Sequence, residues 1–205
     1  MLTRNAGGST RGMRLSSSGK FIAVLATALL CGCAWTPHDV HISSAQEIPT
    51  SNVGNGTKLF FRFIDDRDDI SVGHRGVGSA GATITANDLP NSVETRLREI
   101  LQKKGFVLVD SGSSSDPSVT YRLRSFKFEI SQGLFTGTQA ASAALEVEAS
   151  KASQTFEHVY RANNEHDIFY VPDGGDLDGE MNGLLGKVLT QAATDTGLDN
   201  FLVGQ

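Results

Sequence analysis

The sequence predicts an α+β domain, an antiparallel β-sheet of about four to five strands with two helices, 89–104 and 178–202, packed on one face. Three observations point there. Apolar and polar residues alternate through three successive segments joined by short turns, and two further stretches repeat apolar residues at helical spacing. A chain of 205 residues with 39% hydrophobic and 20% charged residues also has the size and make-up of one folded unit.

In chain order, Lys58–Asp65 places Leu59, Phe61 and Phe63 on one face and Phe60 and Ile64 on the other, the two-sided apolar pattern of an interior strand. Residues 68–85 are Gly-rich and read as a long loop with a short strand at Ala82, Thr83 and Ile84. Leu89, Val93, Leu97, Ile100 and Leu101 then recur at helical spacing. Asp88 is placed to accept from first-turn amides, Pro90 lies where a missing N–H costs nothing, and Gly105 ends the helix. A short strand at 106–109 and a turn at 110–117 follow. Val119, Tyr121 and Leu123 alternate in one phase and Phe126, Phe128 and Ile130 in the other, which predicts a β-bulge or a change of face near Arg124 and Ser125. After a hairpin loop at 132–137, Ala141, Ala143, Leu145, Val147 and Ala149 alternate with polar or small residues. A third strand at 154–163 carries Phe156, His158, Tyr160 and Ala162 on one side, and the three read as an antiparallel meander. The last helix, from Asp178, buries Met181, Leu184, Leu185, Val188, Leu189 and Ala192, with a break near Thr196 and Gly197. Its interior glycines cost about 1 kcal/mol each and make it dependent on packing, with Gly183 and Gly186 expected to approach the sheet closely.

Charge is unevenly placed. Residues 1–32 hold four of the 18 basic residues and none of the 23 acidic ones, so the formal -5 conceals a remainder at -9. An acidic domain does not bind nucleic acid generically. Lys20 precedes the uncharged run 21–30, shorter than the ~20 apolar residues that span a bilayer, and the whole reads as an export signal. Met13 would open a signal of conventional length as well as Met1. Residues 34–57 are polar, with Pro37, Pro49, Gly54 and Gly56, and read as a flexible tether on which Val40, His41 and Ile42 form a short extended piece able to dock on the domain.

Chemistry is sparse. Asp65, Asp66, Arg67, Asp68 and Asp69 gather at a strand end as a candidate binding loop; an internal Asp–Arg pair fits this linear cluster better than a metal site. Leu134 and Phe135, an apolar pair in a hairpin tip, are a candidate partner or membrane contact or fold back over the sheet edge. Gly76, Gly78 and Gly81 match a dinucleotide fingerprint in letters, but neither follow a strand directly nor open a helix. The five histidines form no metalloprotease pair, and no residue set nominates a nucleophile with its base. Neither a metal nor a cofactor is expected.

Leu30-Cys31-Gly32-Cys33 resembles a bacterial lipobox, with Leu at −3, a small residue at −1 and Cys33 as the acceptor. The resemblance implies cleavage before Cys33 and acylation there, and Ala34 at +2 implies sorting to the outer membrane. Acyl chains contribute ~0.8 kcal/mol per buried CH₂, enough for anchoring without a transmembrane helix. The expected organisation is thus a signal peptide at 1–32, a lipidated Cys33 and tether at 33–57, and one domain at 58–205. Beyond the lipobox, Asp39-Val40-His41-Ile42-Ser43, Ile48-Pro49, Asp66 and Arg67, Leu97, Leu101, Gly105 and Phe106, Ser131-Gln132-Gly133, Tyr160-Arg161-Ala162 and Val188-Leu189-Thr190 are similar to segments of the YajG-like lipoproteins of Gram-negative bacteria. That resemblance implies a noncatalytic outer-membrane lipoprotein facing the periplasm, an accessory or adaptor in cell-envelope assembly or maintenance with an envelope protein as partner. The alternative is a lipoprotein that binds a small ligand or a peptidoglycan fragment.

Overall fold

The structure, a computed structural model, describes residues 36–43, 48–76, 81–111, 116–132, 136–170 and 172–204. Cys33, Leu134 and Phe135 lie outside them. Among the described residues, eight strands and three helices follow in the order β1 (His38–Asp39), β2 (Lys58–Asp65), β3 (Ser71–Arg75), β4 (Ala82–Thr85), α1 (Leu89–Lys103), β5 (Val107–Val109), β6 (Ser118–Gln132), β7 (Gly137–Lys151), β8 (Gln154–Ile168), α2 (Gly174–Thr194) and α3 (Thr196–Val203).

The expected antiparallel sheet of four to five strands is incorrect. All eight strands join one mixed sheet in which four pairs are parallel (β1 with β4, β2 with β5, β2 with β6, β3 with β6) and three antiparallel (β3 with β4, β6 with β7, β7 with β8). The antiparallel meander is confined to β6, β7 and β8. Hairpins announce themselves by a turn between adjacent strands, whereas a parallel pair is joined through distant chain and leaves no local mark. Three helices, rather than two, cover the buried face, and their apolar residues form one core with Leu59, Phe61, Tyr121, Phe128 and Leu145.

Local physics accounts for the long elements. In α1 the five apolar positions picked out by spacing are all buried, and Gly105, at φ +87°, lets the chain turn so that Phe106 N–H reaches Leu101 O at 3.1 Å and Gly105 N–H reaches Gln102 O at 2.9 Å. Asp88 makes no side-chain cap; its carbonyl accepts from Ser92 N–H instead. In β6, Leu123 pairs with Leu145 and Ser125 with Ala144, so Arg124 is the extra residue of a bulge and both apolar phases reach the core. The C-terminal helix begins earlier than expected, where Asp173 accepts from Asp176 N–H at 2.9 Å, and breaks at Asp195, whose carboxylate caps α3 through Leu198 N–H at 3.0 Å. Gly183 is exposed with open space where a Cβ would be, so the close approach expected there is absent.

The segment expected as a flexible tether with a docking piece at Val40, His41 and Ile42 is docked through all its described parts. β1 pairs with β4, Val40 and Ile48 are buried, and Gly54 and Gly56 donate to Lys104 O and Gly105 O at 2.8 Å each. Ile42 and Val53 pack against the core beside Val40 and Ile48, so apolar contacts and paired backbone together hold the segment.

Candidate functional site

β2 and β3 run in the same direction along one side of β6, β2 beside 118–123 and β3 beside Phe128. Between them the chain leaves the sheet from Asp66 to Ile70, opposite the Arg124 bulge, and this interruption holds the acidic cluster singled out in the sequence. Its members do not converge. Arg67 turns back on Asp65, with Nε 2.8 Å from Oδ1 and Nη2 2.9 Å from Oδ2, and its side chain is only 4% exposed. These hydrogen bonds hold the Asp65 carboxyl below its ordinary range. Arg67 Nη1 is buried without a hydrogen-bond acceptor. Asp66 pairs with Arg124, which also grips Glu146 of β7 through two bonds of 3.0 and 2.9 Å, and those bonds hold the Glu146 carboxyl low. Asp69 accepts from Ser71 N–H at 3.1 Å, and Asp68 is exposed.

Beside the loop, a cleft of about 390 Å³ opens over the β3–β6 junction, lined by Asp69, Ser71, His74, Lys127 and Glu129. Gly73 is the reason two strands can meet there: at φ +152°, a Cβ would lie 1.9 Å from Phe128 O. A second cleft of about 320 Å³ lies at the end of β8, between Gln139, His166, Tyr170, Asp176 and Glu180. Phe169 and Tyr170 stand at its edge, 85% and 72% exposed.

The N-terminal segment is clamped near that second cleft. His38 Nε2 lies 2.8 Å from Asp178 Oδ1, Ser43 N–H donates to Asn182 Oδ1 at 2.7 Å, and Asn182 Nδ2 donates to His41 O at 2.7 Å. Asp178 and Asn182 are one helical turn apart, so one face of α2 holds the segment. On the other side, Asp39 accepts from Thr85 Oγ1 at 2.8 Å and Asn87 N–H at 3.1 Å; burial works against its carboxylate, but these bonds outweigh it and lower its pKa.

Inside the domain polar contacts join α1 to α3 and the α3 cap to the sheet. Lys104 Nζ meets Asp199 Oδ1 at 2.7 Å, and the Tyr160 hydroxyl donates to Asp195 Oδ2 at 2.7 Å. Burial, with Asp195 and Asp199 nearby, pushes the Tyr121 and Tyr160 phenols up.

Among the described residues no group of three or more His, Cys, Asp or Glu is arranged to hold a metal, and no helix is long and apolar enough to cross a membrane. Of the residues singled out in the sequence, Asp65 and Arg67 meet each other, Asp66 meets Arg124, and Asp69 reaches the first cleft. The Asp178–Asn182 clamp and the exposed aromatics were missed. The signal for the latter was available: two adjacent aromatics follow a strand and precede Pro172 without alternation.

Solved structures with remote similarity include a DUF330 protein from Xanthomonas campestris, at 13% identity and TM-score 0.45 over 83% of this chain and 98% of that one. A protein described as a homolog of a neuraminyllactose-binding hemagglutinin from Helicobacter pylori shares 10% identity at TM-score 0.40, over 80% and 98% of the two chains. The PelC dodecamer from Paraburkholderia phytofirmans shares 11% at 0.33, over 71% and 93%. No curated protein matches the chain significantly. A family profile described as uncharacterized lipoprotein matches residues 44–203, which is most of the chain, and the protein therefore belongs to that lipoprotein family.

Proposed function

We propose that this lipoprotein is noncatalytic, of the YajG-like kind, held at the outer membrane by acyl chains on Cys33 with its domain in the periplasm, and that it acts as an accessory or adaptor in envelope assembly or maintenance. The observation that carries the reading is the open face of the β6–β7 pair. Its charges are of both signs and accessible: Lys127 and Glu129 are exposed, and Arg122 and Arg124 pair in solvent with Glu148 and Glu146. A broad polar surface of this kind suits a reversible protein contact.

Crosslinking in intact envelopes followed by capture tests it. An adaptor yields a protein partner that is lost on the charge reversals Lys127→Glu and Glu129→Lys; recovery of no protein partner overturns it. The cleft beside Asp69 favours a second reading, binding of a small polar ligand such as a peptidoglycan fragment, because carboxylate, hydroxyl, imidazole and ammonium groups line it together. Calorimetric titration with peptidoglycan fragments, heat being lost in Asp69→Ala, separates the two. For the anchor, Cys33→Ser is expected to release the protein from membranes.

A further inference from the structure

The docking of the N-terminal segment shortens the free chain between the domain and Cys33. A free chain from Cys33 to residue 57 would reach about 80 Å at ~3.3–3.6 Å per residue, but the clamp at His38 leaves five residue steps, about 18 Å at most. His38 lies against Gly174, where an added Cβ would sit 2.8 Å from the imidazole ring. Tyr170 is four residues before Gly174, within about 14 Å of it along the chain. His38, where the docked segment begins, and Phe169 and Tyr170, the most exposed aromatic pair among the described residues, are therefore neighbours.

That pair has a firm base. Pro172 is buried, and its carbonyl accepts from Arg75 Nε at 2.9 Å, while Ile168 before it is paired with Gly137 in the sheet. Phe169 and Tyr170 project from a supported corner, as the 85% and 72% exposures record. Residues 165–180 around them contain six carboxylates and no Lys or Arg, so even with Arg75 beside Pro172 this corner is acidic on balance and is not drawn to anionic lipid; its attraction to a bilayer is apolar. Aromatic side chains with a polar tip settle at the headgroup level, and a weak contact suffices when acyl chains already hold the protein at the surface.

We propose that Phe169 and Tyr170 form a second membrane contact of this domain, seated in the headgroup boundary of the bilayer that receives the Cys33 acyl chains; the proposal rests on the anchoring read from the lipobox. The contact fixes which corner faces the bilayer.

The test uses the full acylated protein in vesicles of zwitterionic phosphatidylethanolamine and phosphatidylcholine, with and without brominated acyl chains. Trp35→Phe removes the native indole, and Phe169→Trp and, separately, Tyr170→Trp report the corner. The expected result is a blue-shifted emission quenched about twofold by bromine, and still quenched at about 0.5 M salt, where surface charge attraction is screened. Emission that stays solvent-like in both variants, while mass spectrometry finds acyl chains on Cys33 and the protein floats with vesicles, overturns the contact alone. A Cys33 peptide without acyl mass overturns the anchor reading and the contact with it. Protein crosslinks from position 169 in whole cells, in place of lipid quenching, identify a protein occupant and likewise overturn it.

Discussion

Replacing Lys104 tests how α1 is tied to α3. Lys104 follows α1 directly, and its Nζ reaches Asp199 of α3 at 2.7 Å, the two side chains being 4% and 13% exposed. In Lys104→Met the stem packing is largely kept, but the Asp199 carboxylate is left in the interior near the buried Tyr121 phenol. Breaking a buried pair by removing one partner costs about 3–5 kcal/mol, because the remaining charge has lost its compensation. At the ~2–4 °C per kcal/mol expected for a domain of this size, the midpoint falls by about 6–20 °C. The double variant Lys104→Met with Asp199→Leu removes both charges and is expected to be more stable than Lys104→Met alone. Urea unfolding of all four proteins in the cycle reads the coupling, with an unchanged slope confirming that the native state is comparable. A single-variant loss under about 1 kcal/mol, or a double variant as damaged as the sum of the singles, refutes the reasoning.

Two other outcomes follow from the geometry. Gly73→Ala forces a Cβ into contact with Phe128 O, so β3 is expected to leave β6 at a cost of about 3 kcal/mol, read as faster hydrogen exchange at 71–75 with β7 still protected. Burial works against the Asp195 carboxylate, but the Tyr160 hydroxyl and the Leu198 and Gly197 amides outweigh it and hold its pKa below the ordinary carboxylate range. A depressed carboxyl pKa contributes stability that is complete above the unfolded value and is lost as pH falls through the folded one. Tyr160→Phe is expected to cost about 1–2 kcal/mol at neutral pH, a gap that narrows as pH drops below about 4 in pH-dependent urea titrations; a gap that stays constant into acid contradicts the assignment.

The candidate site was legible only in part. The Asp65–Arg67 pair was readable because its partners are two residues apart, and planar guanidinium meets carboxylate well at that spacing. Arg124 stood out in the sequence only as the point of a phase change; that it also meets Asp66, 58 residues away, needs the strand register to be known. His38 and Asp178 are 140 residues apart and neither lies in a motif.

The sequence by itself determined the elements whose cause is local. The apolar spacing of α1 and its terminal Gly105, the bulge at Arg124, the three long strands and the break near Asp195 all follow from residues within a few positions of one another. Tertiary structure decided which strands pair in parallel, that β2 and β3 share one edge of β6, and that residues 38–43 and 48–57 dock. Those outcomes depend on which distant apolar face and which unpaired backbone groups are brought within reach, and hydrogen-bonding groups and buried methyls carry no address along the chain.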